Sequence, residues 1–184
     1  MIKKYIEFMN EGKKEKLGSL YRYGCVMIEL NISNWDELTS IIDPKDVYMP
    51  EDPAKGIESN PHVTLIFGLE KVSGDQIKKV FDNFHEEIHV EIDGVGIFEN
   101  PEFDVVKLNV IPDGALQHLH DELKKLPNED KFDVYEPHIT LAYVKKGTGK
   151  KYANPDYKYT VKNIGSIKYS TPSGNKIYFD YDVN

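Results

Sequence analysis

The chain has 184 residues, 40% of them hydrophobic and 29% charged, with a net charge of −8 and a pI near 5.3. That length and balance fit one soluble domain, or two small lobes sharing a core. The acidity argues against a grip on long DNA or RNA, although a local pocket can still be positive enough for a small nucleotide. A single cysteine, Cys25, excludes an internal disulfide framework and fits a reducing, cytoplasmic setting. No apolar run is long enough to span a bilayer, and the charged start MIKKYIEFMNEGKKEK has no apolar stretch typical of a secretory signal.

Residues 1–18 read as an N-terminal appendage, with Ile2, Tyr5, Ile6 and Met9 at helical spacing, ahead of a domain over 19–184. Tyr23–Leu30 reads as a buried strand. Ser33 or Asn34 can cap a helix running to about Ile42, which carries Trp35 into the core. A loop with Pro44, Pro50 and Pro53 leads to a strand from Pro61 to about Gly68. Ser73-Gly74-Asp75 opens a helix with Ile77, Val80, Phe81 and Phe84 on one face. His89–Phe98 and Asp104–Ile111 read as paired strands around Glu99-Asn100-Pro101. Gly114–Lys125 reads as a helix striped by Leu116, Leu119, Leu123 and Leu126. A second Pro-led strand starts at Pro137. A polar, basic loop covers Lys145–Asn154, and a hairpin from about Tyr159 to Val183 closes the chain, with its turn at Thr171–Asn175.

The two Pro-led strands carry one phrase twice: Pro61-His62-Val63-Thr64-Leu65 and Pro137-His138-Ile139-Thr140-Leu141. With six His and six Thr in the chain, about 0.2 His-x-Thr matches are expected by chance. The shared proline and the shared leucine make coincidence a poor explanation. The order strand, helix, motif strand also recurs around each copy. This predicts an internal duplication: two antiparallel-sheet lobes packed about a pseudo-twofold, with the motif strands central.

Alternate residues on a strand share a face. His62, Thr64 and Ile66 are therefore expected on one side of their strand. His138, Thr140 and Ala142 are expected together on theirs, with Tyr143 turned away. Histidine and threonine then lie roughly 7 Å apart, two residue rises along the strand. Cleavage of a phosphodiester needs a base on the nucleophile and an acid on the leaving oxygen. Two histidines that titrate near neutrality can divide those roles without metal or other cofactor. Threonine hydroxyls can donate to the non-bridging oxygens.

Two His-x-Thr motifs on strands half a domain apart resemble the 2H phosphoesterase superfamily, over roughly residues 20–183. More narrowly, the pattern YGCVMIEL, a helix, NPHVTLIFGL and then EPHITLAYV resembles the bacteriophage anti-CBASS phosphodiesterases, which degrade cyclic di- and trinucleotide signals of bacterial immunity. The resemblance implies an α+β, two-lobed fold with outer helices and a central cleft. It implies that His62 and His138 are the acid/base pair and that Thr64 and Thr140 orient the phosphate. It implies a ribose 2′-hydroxyl attacking the neighbouring 3′-5′ bond of a small cyclic nucleotide, in the host cytoplasm if the protein is viral. Base recognition in that branch uses aromatic stacking, for which Tyr23 and Tyr169 are the candidates. RNA 2′,3′-cyclic phosphate or 2′-5′ oligoadenylate as substrate, and a non-catalytic nucleotide sponge, are the competing readings.

Three other signals are weaker. His85-Glu86-Glu87-Ile88-His89 matches H-E-x-x-H, but the helical stripe ends before it, so no metal site is expected. His118 and His120 lie two apart on a helix, point in different directions, and read as surface residues. Lys145–Lys151 reads as a solvated loop, or alternatively as a basic lid over a nucleotide.

Overall fold

The computed structural model describes residues 22–49, 55–130, 132, 134–161 and 164–180. The expected appendage over 1–18 and the last residues of the closing hairpin lie outside that set. In chain order the elements are β1 (Gly24–Leu30), α1 (Trp35–Ser40), β2 (His62–Leu69), α2 (Gly74–Asp82), β3 (Val90–Glu99), β4 (Phe103–Ile111), α3 (Gly114–Lys124), β5 (His138–Lys145), β6 (Asn154–Val161), β7 (Ile164–Ser170) and β8 (Lys176–Phe179). Single 3-10 turns cover Pro44–Asp46 and Gly149–Tyr152. Among the described residues, no helix is long and apolar enough to cross a membrane.

Local chemistry accounts for the helix ends. Ser73 and Gln76 close a capping box at the start of α2. The Asp113 carboxylate accepts from the Leu116 N–H at 2.8 Å and caps α3. α1 ends earlier than its sequence suggests, and its N-cap Asn34 makes no side-chain cap bond. Trp35 is buried in it as expected.

Two four-stranded antiparallel sheets result, in the orders β2-β1-β7-β8 and β5-β4-β3-β6. The orders match position for position, with the two motif strands occupying the same edge of each sheet. The two-lobed α+β architecture expected from the duplication is therefore the observed one. Pro61 and Pro137 match as well: each offers its carbonyl to the neighbouring strand, to Leu30 N–H at 2.9 Å and to Val110 N–H at 3.2 Å. Neither proline costs a ladder bond at that position. One core runs between the sheets and helices, built from residues such as Val26, Ile28, Leu65, Leu108, Leu119 and Ile139.

The end of the chain departs from expectation. Tyr159 does not open the final hairpin. It lies in β6, opposite Ile92 of β3, so β6 completes the second sheet before β7 crosses back to the first. The hairpin is β7–β8 alone, with the turn at Thr171–Asn175 as read.

Each motif strand would leave a bare sheet edge, and the opposite half of the chain covers it. Residues 47–48 and 56–58, ahead of β2, lie along β5. Tyr48 N–H donates to Tyr143 O, Tyr143 N–H to Gly56 O and Glu58 N–H to Leu141 O, at 2.8–2.9 Å. Residues 127–129, which lead into β5, lie along β2. Glu70 N–H donates to Pro127 O and Glu129 N–H to Gly68 O, both at 2.9 Å. The helices cross in the same sense, with α1 packing on β5 and α3 on β2. Trp35 joins helix to strap by donating its indole N–H to Glu58 O at 2.8 Å. Replacing Trp35 with Phe keeps most of the ring but strips that carbonyl of its donor. The expected cost is about 1–2 kcal/mol of stability, read as a lower urea midpoint at unchanged slope.

Candidate active site

One motif residue from each half reaches a common cleft. Thr64 and His138, from different halves, line the same cavity of about 690 Å³, including its solvent-open part. His138 also feels the charge of His62. His62 and Thr64 stand opposite Glu29 and Met27 of β1. His138 and Thr140 stand opposite Asn109 and Lys107 of β4. Directly paired residues share a face, so each catalytic row continues across its sheet.

Strand parity holds only as far as threonine. In both motifs the next residue, Leu65 or Leu141, has no partner on the neighbouring strand: Met27 pairs with Thr64 and Val26 with Ile66, Lys107 with Thr140 and Val106 with Ala142. A one-residue bulge reverses the alternation beyond it. Ile66 and Ala142, expected on the catalytic face, are buried in the core. Phe67 and Tyr143 take their places, opposite Cys25 and Val105. The expectation that Tyr143 points away is thereby corrected.

The bulge carbonyls are held from the other half. His120 of α3 donates through Nδ1 to Leu65 O at 2.7 Å, and Tyr135 donates its hydroxyl to Thr64 O at 3.0 Å. The two rings stack at 4.3 Å. His120 is thus a buried structural residue, 5% exposed, and not the surface histidine the helix spacing suggested; α3 turns that side toward β2. His118 remains on the surface, paired with Glu86.

Both motif imidazoles are held alike. Nδ1 of His62 lies 2.8 Å from Asn60 O, and Nδ1 of His138 lies 3.0 Å from Glu136 O. A ring that donates its Nδ1–H to a carbonyl exchanges its other proton at Nε2. Burial above all, together with the charges of Lys107 and His62 and against the pull of the Glu136 carbonyl, holds the His138 imidazole down to about 4. His138 is therefore neutral at pH 7, with Nε2 able to take a proton.

The surroundings of the two histidines differ. Beside His62, Glu29 binds Lys168 Nζ at 2.6 Å and accepts from the Ser166 hydroxyl at 3.1 Å. Burial alone would raise the Glu29 carboxyl, but Lys168, Ser166 and the charge of His62 hold it below its usual range. Beside His138, Lys107 donates to the neutral amide oxygen of Asn109 and lies 4.3 Å from the centre of the Phe98 ring. The edge of that ring pair continues to His138, whose ring centre is 4.9 Å from that of Phe98. Sequence reading missed both lysines. The available signal was Val106-Lys107-Leu108, a lysine between two core residues of one strand.

The remaining candidates fall outside the cleft. Tyr169 is 0% exposed, donates its hydroxyl to Val72 O at 2.7 Å and pairs with core residue Val26, so it offers no stacking face. Parity explains this: Lys168 and Ser170 face the catalytic side of β7 and Tyr169 the core. Tyr23 is 7% exposed and meets Phe67 edge-on at 6.2 Å, behind the cleft wall. The aromatics that line the cavity are Phe67, Phe98, Phe132 and Tyr135. Cys25 shares the catalytic face, but burial pushes its thiol up to about 12 despite a hydrogen bond with Thr64, so it carries no thiolate at neutral pH. Residues 85–89 form no helix, so the H-E-x-x-H match lacks the geometry a metal needs. The basic loop sits at the far end of β5 from His138. There Lys146 pairs with Asp104 at 3.0 Å and Lys150 with Glu99 at 2.9 Å. Asp104 also accepts from the N–H groups of Gly147 and Gly149. The loop is pinned there and does not cover the cleft.

The family model of the 2′-5′ RNA ligase superfamily matches residues 51–171. The chain belongs to that superfamily, that of the 2H phosphoesterases, and at that level is a phosphodiesterase. Its fold is shared with Kluyveromyces marxianus Usb1, at 9% identity and a TM-score of 0.57 over 85% of this chain and 97% of that one. The MHV ns2 PDE domain is similar at 12% identity and a TM-score of 0.52, over 86% and 99% of the two chains. Usb1 bound to uridine monophosphate matches at 10% identity and a TM-score of 0.53, covering 85% and 97%. No curated protein matches by sequence.

Titration of the imidazole nitrogens by NMR should find His138 neutral until the pH approaches about 4. In the unfolded chain the same ring protonates near 6.5. Its contribution to stability is therefore complete above that pH and is lost as the pH falls toward about 4. His138→Gln should flatten this part of the stability profile.

Proposed function

We propose that this chain is a metal-independent phosphodiesterase that opens the 3′-5′ bonds of cyclic di- and trinucleotide immune signals, the reaction of the anti-CBASS enzymes it resembles. The observation that supports this reading is that Thr64 of one His-x-Thr pair and His138 of the other line one cavity, with the two histidines in unequal surroundings. His138, held neutral by burial, is the base: its Nε2 takes the proton of a ribose 2′-hydroxyl. The 2′-oxygen bonds to the neighbouring phosphorus, and the bond from phosphorus to the 5′-oxygen breaks. His62, beside the Glu29 carboxylate, gives that oxygen its proton. Thr64 and Thr140 donate to the non-bridging oxygens as charge develops.

The aromatics of the cleft favour a substrate with a nucleotide on each side of the scissile phosphate. Phe67, Phe98, Phe132 and Tyr135 line the cavity, and base–aromatic stacking tolerates any base. A terminal 2′,3′-cyclic phosphate has a base on one side only. A nucleotide ligand also accords with the uridine monophosphate complex of Usb1.

A panel of cyclic di- and trinucleotides, 2′-5′ oligoadenylates and 2′,3′-cyclic mononucleotides, incubated with the protein in EDTA, tests this. Turnover of the cyclic oligonucleotides is expected, and His62→Ala and His138→Ala should each lower it by about 10²- to 10⁴-fold. The acidic limb of kcat/KM should lie well below 6.5, following His138. Full activity in either variant would sink the acid/base assignment. Turnover confined to 2′,3′-cyclic or 2′-5′ substrates would move the enzyme to those reactions, and tight binding without turnover would make it a sponge.

A further inference from the structure

The two half-sites match in backbone and differ in charge. At equivalent strand positions the first half has Glu29 opposite its histidine and the second has Asn109. Each half also places one lysine on the catalytic face. Lys168, on β7 opposite Met27, is neutralised by Glu29. Lys107, on β4 opposite Thr140, is 9% exposed, and among the described residues it hydrogen-bonds only the neutral oxygen of Asn109; burial pushes its ammonium below the usual lysine range, and the Glu136 carboxylate opposes this through its charge, without a hydrogen bond to it. A buried cation that no carboxylate contacts directly is costly. Such a group persists where an anion arrives to complete it.

The local packing holds Lys107 in this state. Gly96 faces it on β3. A Cβ at Gly96 would meet the Asn109 amide at 2.6 Å, so glycine is what lets that side chain lie across β3. There its Nδ2 donates to Asp93 O at 3.3 Å, which aims its oxygen at Lys107. The Phe98 face supports the ammonium from another side at 4.3 Å.

We propose that Lys107 is the anion-binding residue of this cleft, taking a non-bridging oxygen of the substrate phosphate beside Thr140 and His138, while Lys168 remains committed to Glu29. This rests on the phosphodiesterase reading for its substrate, but phosphate binding can be measured without turnover. The chemistry recognised is a phosphate monoanion or diester. Its position between Lys107 and His138 also lowers the cost of protonating His138 during proton transfer, since the bound anion offsets the lysine charge.

Inorganic phosphate titrated into the full chain, by calorimetry and by amide NMR shifts, provides the test. Wild-type protein should bind it in the cleft. Lys107→Met, which keeps the apolar stem against Phe98, should weaken binding by about tenfold or more. Asn109→Asp, which copies the Glu29–Lys168 arrangement and neutralises Lys107 in place, should weaken it similarly and guards against misfolding of the first variant. Lys150→Met, at the far end of β5 and paired with Glu99, should leave binding within about threefold. With an active substrate, Lys107→Met should also move the acidic limb of kcat/KM toward higher pH, which loss of packing alone would not do. Unchanged phosphate affinity in both Lys107→Met and Asn109→Asp overturns the proposal, as does absence of binding to wild type. Lys107-dependent phosphate binding in a protein that turns over none of the cyclic nucleotides leaves this inference standing and overturns the substrate reading.

Discussion

The cleft depends on satisfying two backbone carbonyls that strand geometry leaves over. A bulge after each motif threonine turns the chain, but its extra residue has no ladder partner, and a buried carbonyl without a donor is expensive. Leu65 O is satisfied by His120, and Leu141 O by Glu58 N–H, with Glu58 in turn held by Trp35. Each donor comes from the half of the chain opposite the bulge it serves. The same crossing covers the two exposed strand edges. Bulge, edge strap and helix are one arrangement, and the two motif rows hold their places because it closes.

This arrangement couples the halves more tightly than a simple pair of stacked lobes. α1 links two strands of the first sheet yet packs on β5, and α3 links two strands of the second yet packs on β2. Neither sheet can bury its inner face or complete its edge alone. The chemistry inherits that dependence, since Thr64 and His138 line one cavity from different halves.

Much of this was legible in the sequence where the physics is local. Alternation marked the strands, Ser73 and the leucine stripe marked helices, and the repeated proline-histidine phrase marked the duplication and the four motif residues. Reading failed where a contact from far along the chain decides the outcome. Strand parity beyond Thr64 depends on His120, which is 55 positions from Leu65, and parity beyond Thr140 on Glu58. Those bulges exchanged Ile66 for Phe67 and Ala142 for Tyr143. Tyr169 misled because twelve tyrosines give composition no power to choose among them, whereas pairing with Val26 puts this one in the core. β6 was folded into the wrong hairpin because nothing within 154–161 says which sheet it joins.

The difference between Glu29 and Asn109 carries one more consequence. A cleft with true twofold symmetry would accept a phosphodiester in either of two senses, with nucleophile and leaving group interchangeable. A carboxylate and its bound lysine on one wall, against a lysine hydrogen-bonded to an amide on the other, give the cleft a direction. Duplication supplied two equal halves; a single change of residue type between them turns a mirror-like groove into one with a front and a back.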